Sequence, residues 1–220
     1  MASVSVLLPT LNEEESIEST IKQVRKVLPD AEIVVIDGLS KDKTVAIAKK
    51  MGARIILEAQ KGKAVAIKKA FKEINSDIAL MIDVDLTYPV EDFPKILDLL
   101  KEYDVVLGSR FRGKMEPGAM SFTNNFGNRI ISLCASTLFL KWVSDVCTGM
   151  WGFRKSAYKD IEITSQTFEL ECNMFAQAAK KGMRITEFPI NYSKRGGVSK
   201  VQLIDGVKDC ILLAKERFSP

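Results

Sequence analysis

Along the first half of the chain, short unbroken apolar runs alternate with stretches whose apolar residues recur every three or four positions. Residues 4–8 form one such run, ended by Pro9. Ile17, Ile21, Val24 and Val27 then share one face of a helix expected over 13–28, with carboxylates in its first turn, where the helix dipole favours them. The β-branched run 33–36 reads as a second strand and stops at Asp37. A helix over 44–51 closed by Gly52, a strand over 54–57, a helix over 63–74, a strand over 78–82, a helix over 92–100 and a strand over 104–107 continue the alternation. Unbroken apolar strands separated by helices are parallel strands covered on both sides. The pattern therefore predicts an α/β fold with an open, mainly parallel sheet and helices on both faces. In such sheets ligands bind beyond the carboxyl ends of the strands, where Asp37, Asp83 and Asp85 fall.

After Gly108 the rhythm changes. A long helix is expected over 120–140, with Phe122, Phe126, Ile130 and Leu133 on one face and a second half that is nearly all apolar. Trp151-Gly152-Phe153 reads as another strand, 168–181 as a helix capped by Gly182, and 185–189 as a strand. Residues 194–200 form a basic, glycine-containing loop, and 201–218 an amphipathic helix. No internal repeat, low-complexity segment or dividing linker interrupts this order, so one domain over 1–220 is expected. The apolar stretch 130–143 is broken by Ser132, Ser136, Thr137 and Lys141 and falls short of the roughly 20 residues a bilayer requires. Residues 1–9 enter a strand without a basic leader. A soluble or peripheral protein is the expectation.

Composition changes this picture mainly through one absence: the chain contains no histidine, which removes Ser-His-Asp and Cys-His catalysis and imidazole metal sites. Its four cysteines, Cys134, Cys147, Cys172 and Cys210, lack any C-x-x-C pair. They read as buried thiols rather than a disulfide framework or a zinc site. With 46% hydrophobic and 27% charged residues the chain is an ordinary globular one, and a net charge of +4 does not demand nucleic acid as a partner. It is compatible with an anionic ligand or membrane surface.

Asp83-Val84-Asp85 is the sharpest chemical signal. Two carboxylates flanking one residue just past a buried strand suit a hard cation, Mg²⁺ or Mn²⁺, shared with a diphosphate; the plainer alternative is that acidic residues end the strand and cap the next element. Arg110, directly after Gly108-Ser109, Arg129 in the long helix, and Arg195 and Lys200 around Gly196-Gly197 would complement such a site, or serve as solvated surface. Lys61-Gly62-Lys63 could place an anion at a helix start. Neither the G-x-x-x-x-G-K-[ST] nor the G-x-G-x-x-G spacing occurs.

Pro9-Thr10-Leu11-Asn12-Glu13, the segment from Ile36-Asp37-Gly38 to Thr44, Asp83-Val84-Asp85 and Gly108-Ser109-Arg110 stand in an order and spacing that resemble family-two glycosyltransferases of the GT-A fold. Asp145, Thr148-Gly149, Phe153-Arg154 and Arg195-Gly196-Gly197-Val198-Ser199-Lys200 look like the dolichol-phosphate mannosyltransferase branch. The resemblance covers nearly the whole chain and implies a nucleotide-sugar-binding half over 1–110 and an acceptor-binding half over 111–220. By the same resemblance Pro9, Glu13 and Asp37, with Leu11, Ile36 and Val84 beside them, would frame the nucleotide pocket. Lys63 would help hold the nucleotide, and Asp83 would face the ribose or sugar. Asp83 and Asp85 would supply the metal site, with Asp85 the ligand to a diphosphate-bridging cation. Arg110 and Arg129 would bind the acceptor phosphate, Asp145 would position acceptor or sugar, and Arg195, Ser199 and Lys200 would close over the donor. Gly38 and Thr87 depart from the Asp and Gln common at those places, and Leu11 replaces a common Tyr.

The implied reaction moves a hexose from GDP-mannose or a UDP-sugar to dolichyl or another polyprenyl phosphate with inversion, at the cytoplasmic face of a membrane. A phosphate acceptor is already ionised near neutral pH, which suits a chain without histidine. Phe139, Leu140, Trp142 and Val143 would serve either a membrane interface or the core, and Trp151 and Phe153 the core. Two other readings are transfer to a saccharide hydroxyl, which would need a base, and a catalytically silent nucleotide-sugar-binding module. A scaffold, however, has no reason to assemble a metal site and a diphosphate clamp.

Overall fold

A computed structural model describes residues 2–165, 169–194 and 203–219. The strands among them are β1 (Val4–Thr10), β2 (Glu32–Asp37), β3 (Arg54–Leu57), β4 (Ile78–Met81), β5 (Val105–Ser109), β6 (Trp151–Arg154) and β7 (Ile185–Pro189). They form one sheet in the order β3-β2-β1-β4-β6-β5-β7. Every pairing is parallel except those of β6, which runs antiparallel between β4 and β5. The expected mainly parallel α/β sheet is therefore present.

Alternation along the strands explains why both faces are covered. Val6 and Leu8, Ile33 and Val35, and Leu80 point into one apolar layer, with Ile17, Ile21 and Val24 of α1 (Ile17–Val27) and Phe93 and Ile96 of α4 (Phe93–Leu99). Leu7, Val34, Ile36, Ala79, Met81, Trp151 and Phe153 point into the other. There they meet α3 (Lys63–Glu73), α5 (Phe122–Phe139), α6 (Lys155–Asp160), α7 (Leu170–Lys180) and α8 (Leu203–Phe218). The remaining helix, α2 (Thr44–Lys50), crosses from β2 to β3. Trp151 and Phe153 are fully buried, as expected of core residues.

Three boundaries differ from expectation for local reasons. Pro9 does not end β1: the strand continues to Thr10, paired with Asp37 of β2, because β4 has already stopped opposite Leu7 and leaves no ladder on the side where the proline lacks its N–H. The first helix begins at Ile17 rather than residue 13, because the Glu13 carbonyl accepts from both Ser16 and Ile17 in a tight turn. Residues 155–160, given no element from sequence, form the short helix α6.

In α5 the buried residues are Ile131, Ser132, Ala135 and Ser136, while Phe122, Phe126, Ile130 and Leu133 face outward at 85%, 58%, 42% and 58% exposure. The small inner face receives the following segment. Ser136 Oγ donates to the Val143 carbonyl and accepts from its N–H, both at 3.0 Å, and Ser132 Oγ accepts from Val146 N–H at 3.0 Å. Those bonds draw residues 143–146 inward and with them Asp145. The expected apolar cluster after the helix divides accordingly: Val143 is buried and Phe139 packs edge-on against Phe175, whereas Leu140 and Trp142 stand 86% and 78% exposed.

Candidate active site

The carboxyl ends of β1 and β2 carry two loops latched together. Gly38 N–H donates to the Thr10 carbonyl, Asn12 N–H to Ser40 Oγ, Lys41 N–H to Asn12 Oδ1 and Glu13 N–H to Thr44 Oγ1, all within 2.8–2.9 Å. Asp37 is the hub of this latch. Its Oδ1 accepts from Thr10 Oγ1 (3.0 Å) and Ser40 Oγ (2.6 Å), and its Oδ2 from Ser40 N–H (2.8 Å). Asp42 fastens the far side: burial would raise its carboxyl, but hydrogen bonds from Thr44 and Glu14 outweigh that and hold it below the usual range. Asp37 is thus fully buried and holds the loops, while Pro9, Leu11 and Glu13 lie along the rim. Ile36 and Val84, expected beside the nucleotide, have their side chains buried in the two apolar layers, at 0% and 3% exposure.

The backbone at this rim is strained at three non-glycine positions, Asn12, Leu39 and Leu86, which have φ of 56°, 62° and 62°. Each lies just past a strand end, and Leu39 and Leu86 leave about half their surface in solvent.

At the end of β4, Asp83 and Asp85 diverge in role. Asp83 Oδ1 lies 2.5 Å from Lys63 Nζ, which also contacts Glu171 Oε1 at 2.7 Å. Lys63 starts α3 directly after Gly62, whose φ of 127° only glycine adopts with ease. Burial would push the Lys63 ammonium down, but the two carboxylates overcome it and raise it above its ordinary value; burial raises the Glu171 carboxyl despite Lys63. Asp85 Oδ1 accepts from Thr87 Oγ1 at 2.6 Å and Thr87 N–H at 3.2 Å, which fixes the carboxylate at the rim. Gly149 closes the back of this group. A methyl there would stand 2.2 Å from Asp83 Oδ2, and the Gly149 N–H donates to Tyr88 Oη at 2.7 Å.

Arg110 and Asp145, expected at the acceptor, instead meet in the interior at 6% and 0% exposure. Asp145 Oδ2 accepts from the Arg110 backbone N–H (2.9 Å) and Nε (2.7 Å), and Oδ1 from Nη2 (2.6 Å), which also donates to the Cys147 carbonyl at 2.9 Å. Burial would lower the guanidinium's pKa, and Asp145 reverses that, holding it well above its ordinary value. Their enclosure has a clear cause: the serines of α5 pull residues 143–146 inward, and a buried carboxylate needs a cation. Arg129 is exposed on α5. Its Nε donates to Asn125 Oδ1 at 2.9 Å and its guanidinium lies 4.3 Å from the centre of the Phe111 ring. Arg195, Ser199 and Lys200 lie outside the described residues.

The structure therefore brings Lys63, Asp83, Asp85 and the loop latch to one rim, and adds Glu171 and Tyr88, neither of which was expected there from sequence. Glu171 had a usable signal: it shares a helix face with Met174, Phe175 and Ala178, a carboxylate on an apolar stripe.

A glycosyl transferase family 2 profile matches residues 5–162. A protein named glycosyltransferase AglJ from Haloferax volcanii is 36% identical over 94% of this chain and 68% of its own length. A protein named dolichyl-phosphate hexose transferase from the same organism is 37% identical over 92% of this chain and 88% of its own. Among solved structures, glucosyl-3-phosphoglycerate synthase from Mycobacterium tuberculosis, in complex with Mn²⁺, UDP-glucose and phosphoglyceric acid, superposes with a TM-score of 0.78 at 21% identity, over 100% of this chain and 81% of the other. That likeness, with the sheet described above, gives the chain the GT-A fold. This chain belongs to glycosyl transferase family 2.

Proposed function

We propose that the protein transfers a hexose from a nucleoside diphosphate sugar to a polyprenyl phosphate of the dolichyl type, working from the surface of a membrane. The observation that carries the acceptor is the inverted polarity of α5. Phe122, Phe126, Ile130 and Leu133 form an outward apolar stripe, Leu140 and Trp142 extend it, and exposed Arg129 sits on the same helix. A cation beside a lipid-compatible face is what a phosphorylated lipid requires. No helix among the described residues is long and apolar enough to cross a membrane; the exposed stripe of α5 would make its contact at the membrane surface.

The donor would lie along the rim, with the latch around Asp37 shaping the nucleoside pocket and Lys63 balancing charge near Asp83. Mg²⁺ or Mn²⁺ fits the donor set at the end of β4, where carboxylate oxygens of Asp85 and Asp83 offer the hard ligands those ions take. Bound there, the cation would offset the negative charge developing on the departing nucleoside diphosphate. Asp83 would serve chiefly through Lys63, because that ion pair already engages its Oδ1. An ionised acceptor phosphate attacks without surrendering a proton, so the chain's part is to orient the two substrates and exclude water. Transfer to a saccharide hydroxyl would need a base, and Asp145, the carboxylate expected to position acceptor or sugar, is enclosed and paired with Arg110.

The test is a labelled-sugar transfer assay. GDP-mannose, UDP-glucose and UDP-N-acetylglucosamine are each offered with polyprenyl phosphate or phosphoglycerate, with Mn²⁺ or Mg²⁺. Label entering the organic phase from one donor, and lost in Asp85→Asn, supports the proposal. Label carried only by the water-soluble acceptor, or no transfer despite donor binding, overturns it.

A further inference from the structure

We propose that Cys147, Cys172 and Asp209 bind a thiophilic divalent cation of the zinc class, at a second metal site behind the active-site rim. Three separate elements deliver these residues: the α5–β6 connection, α7 and α8. Their two sulfurs and one carboxylate oxygen lie within 4.8 Å of one another. Cys172 and Asp209 are buried, at 1% and 7% exposure, and Cys147 is partly so. Cys172 belongs to the apolar layer that also holds Ala135, Val146, Leu170 and Leu213, and Cys147 packs against that layer. From sequence the cysteines read as buried thiols rather than a zinc site. Folding instead gathers two of them against a carboxylate.

The distances suit a tetrahedral ion. Zinc sits about 2.3 Å from thiolate sulfur and about 2.0–2.2 Å from a carboxylate oxygen, so ligand atoms around it stand roughly 3.5–3.8 Å apart. Closing from separations of at most 4.8 Å requires side-chain adjustment of no more than about 1.3 Å at any pair, within reach of rotamer relaxation. Three protein ligands leave a fourth position for water or another protein atom. The donor set also separates this site from the one at β4: two sulfurs select a softer cation than the all-oxygen pair Asp83 and Asp85.

Without a cation the Cys172 thiol donates a hydrogen bond to Cys147, and that bond, burial and the charge of Asp209 hold it well above its usual value. For Cys147 the bond to Cys172 lowers the value, and burial with the nearby carboxylates outweighs it. Binding therefore exchanges two thiol protons for one dication, and both protons leave to solvent. The bound ion would fasten α8 to α7 and to the segment that carries Asp145 and Gly149. In sequence, α8 begins three residues after Lys200. The site does not depend on which sugar or acceptor the enzyme uses.

The full chain, stripped of metal by a chelator under reducing conditions, would be titrated with Co²⁺ as a spectroscopic probe. The expected result is a thiolate-to-cobalt charge-transfer absorption that saturates at one ion per chain, is displaced by Zn²⁺ and accompanies a rise in melting temperature. Cys172→Ser and Asp209→Asn should each abolish or sharply weaken the band, whereas Asp85→Asn should keep it. If one variant fails to fold, the other decides. Absence of the band in a folded, fully reduced chain overturns the proposal, as does an unchanged affinity in Asp209→Asn. A Cys147–Cys172 disulfide found by mass spectrometry in the isolated chain, with no cobalt bound after reduction, would replace it with a redox pair.

Discussion

Asp145→Asn separates a structural role for Arg110 from a substrate-binding one while leaving side-chain shape almost unchanged. In the native pair one carboxylate oxygen accepts two N–H groups of Arg110 and the other accepts a third. An asparagine can place its carbonyl where Oδ2 stands and keep two of those bonds, but its amide N–H₂ then confronts Nη2, donor against donor. The guanidinium, 6% exposed, also loses its counter-charge. Removing one partner of a buried pair costs about 3–5 kcal/mol, and retention of two bonds places this variant near about 3 kcal/mol. That is a large share of the roughly 5–15 kcal/mol that holds a domain together. With a urea slope of about 2–3 kcal/mol per molar, the midpoint should fall by about 1–1.5 M. Equilibrium unfolding followed through Trp151, whose indole N–H donates to the Thr148 carbonyl in the same segment, reads the change. Adding Arg110→Met to the variant should recover much of the loss, because it removes the stranded cation. A stability within about 0.5 kcal/mol of the parent, coupled with lost affinity for polyprenyl phosphate, would refute the structural reading and return Arg110 to the acceptor.

Three further outcomes concern other parts of the molecule. Gly149→Ala should reduce sugar transfer by at least about tenfold with a smaller loss of stability, because the new methyl displaces Asp83; equal turnover in variant and parent would contradict it. Trp142→Ser with Phe126→Ser should weaken sedimentation with anionic liposomes while leaving stability within about 0.5 kcal/mol, since both side chains are exposed. Unchanged sedimentation together with loss of a dimer in solution would assign the stripe to self-association. The Arg184 guanidinium, by hydrogen bonds and charge, holds the Asp104 carboxyl below its usual value. A depressed native pKa adds stability above the unfolded pKa of about 3.9 that is lost as pH falls through the lower native value. Asp104→Asn should therefore flatten the acid limb of a stability-against-pH curve below about pH 4, and an unaltered limb would exclude this pair as a contributor.

One half of this architecture is readable from the chain because its strands carry the apolar runs 6–8, 33–36, 55–57, 78–82 and 105–107, each of which stops at or near the end of its strand. Asp37, Asp83 and Asp85 can be placed at the rim from sequence alone, since a parallel sheet puts all its carboxyl ends on one side. Direction and partner are what periodicity cannot supply. Trp151–Arg154 reads as a strand whichever way it runs, and its antiparallel insertion depends on contacts with β4 and β5. The spacing of Phe122, Phe126, Ile130 and Leu133 marks a helix face without saying that the inner face would be the one made of Ser132, Ala135 and Ser136. Pairings between distant residues, Lys63 with Glu171 or Arg110 with Asp145, leave no local trace, because the partners stand 108 and 35 positions apart and only tertiary packing joins them.

The placement of β6 also sets an order of assembly. Residues 4–81 contain every strand of the β3-β2-β1-β4 block, so that block can pair from contiguous chain as it emerges. The next neighbour of β4 is β6, which arrives only with residues 151–154. Until then β4, whose Ala79, Leu80 and Met81 are fully buried in the finished protein, is an open apolar edge able to recruit another chain. Any chain ending before Trp151 keeps that edge permanently. Synthesis of the intervening stretch is therefore a window of aggregation risk, and the arrival of Trp151, Gly152 and Phe153 closes it.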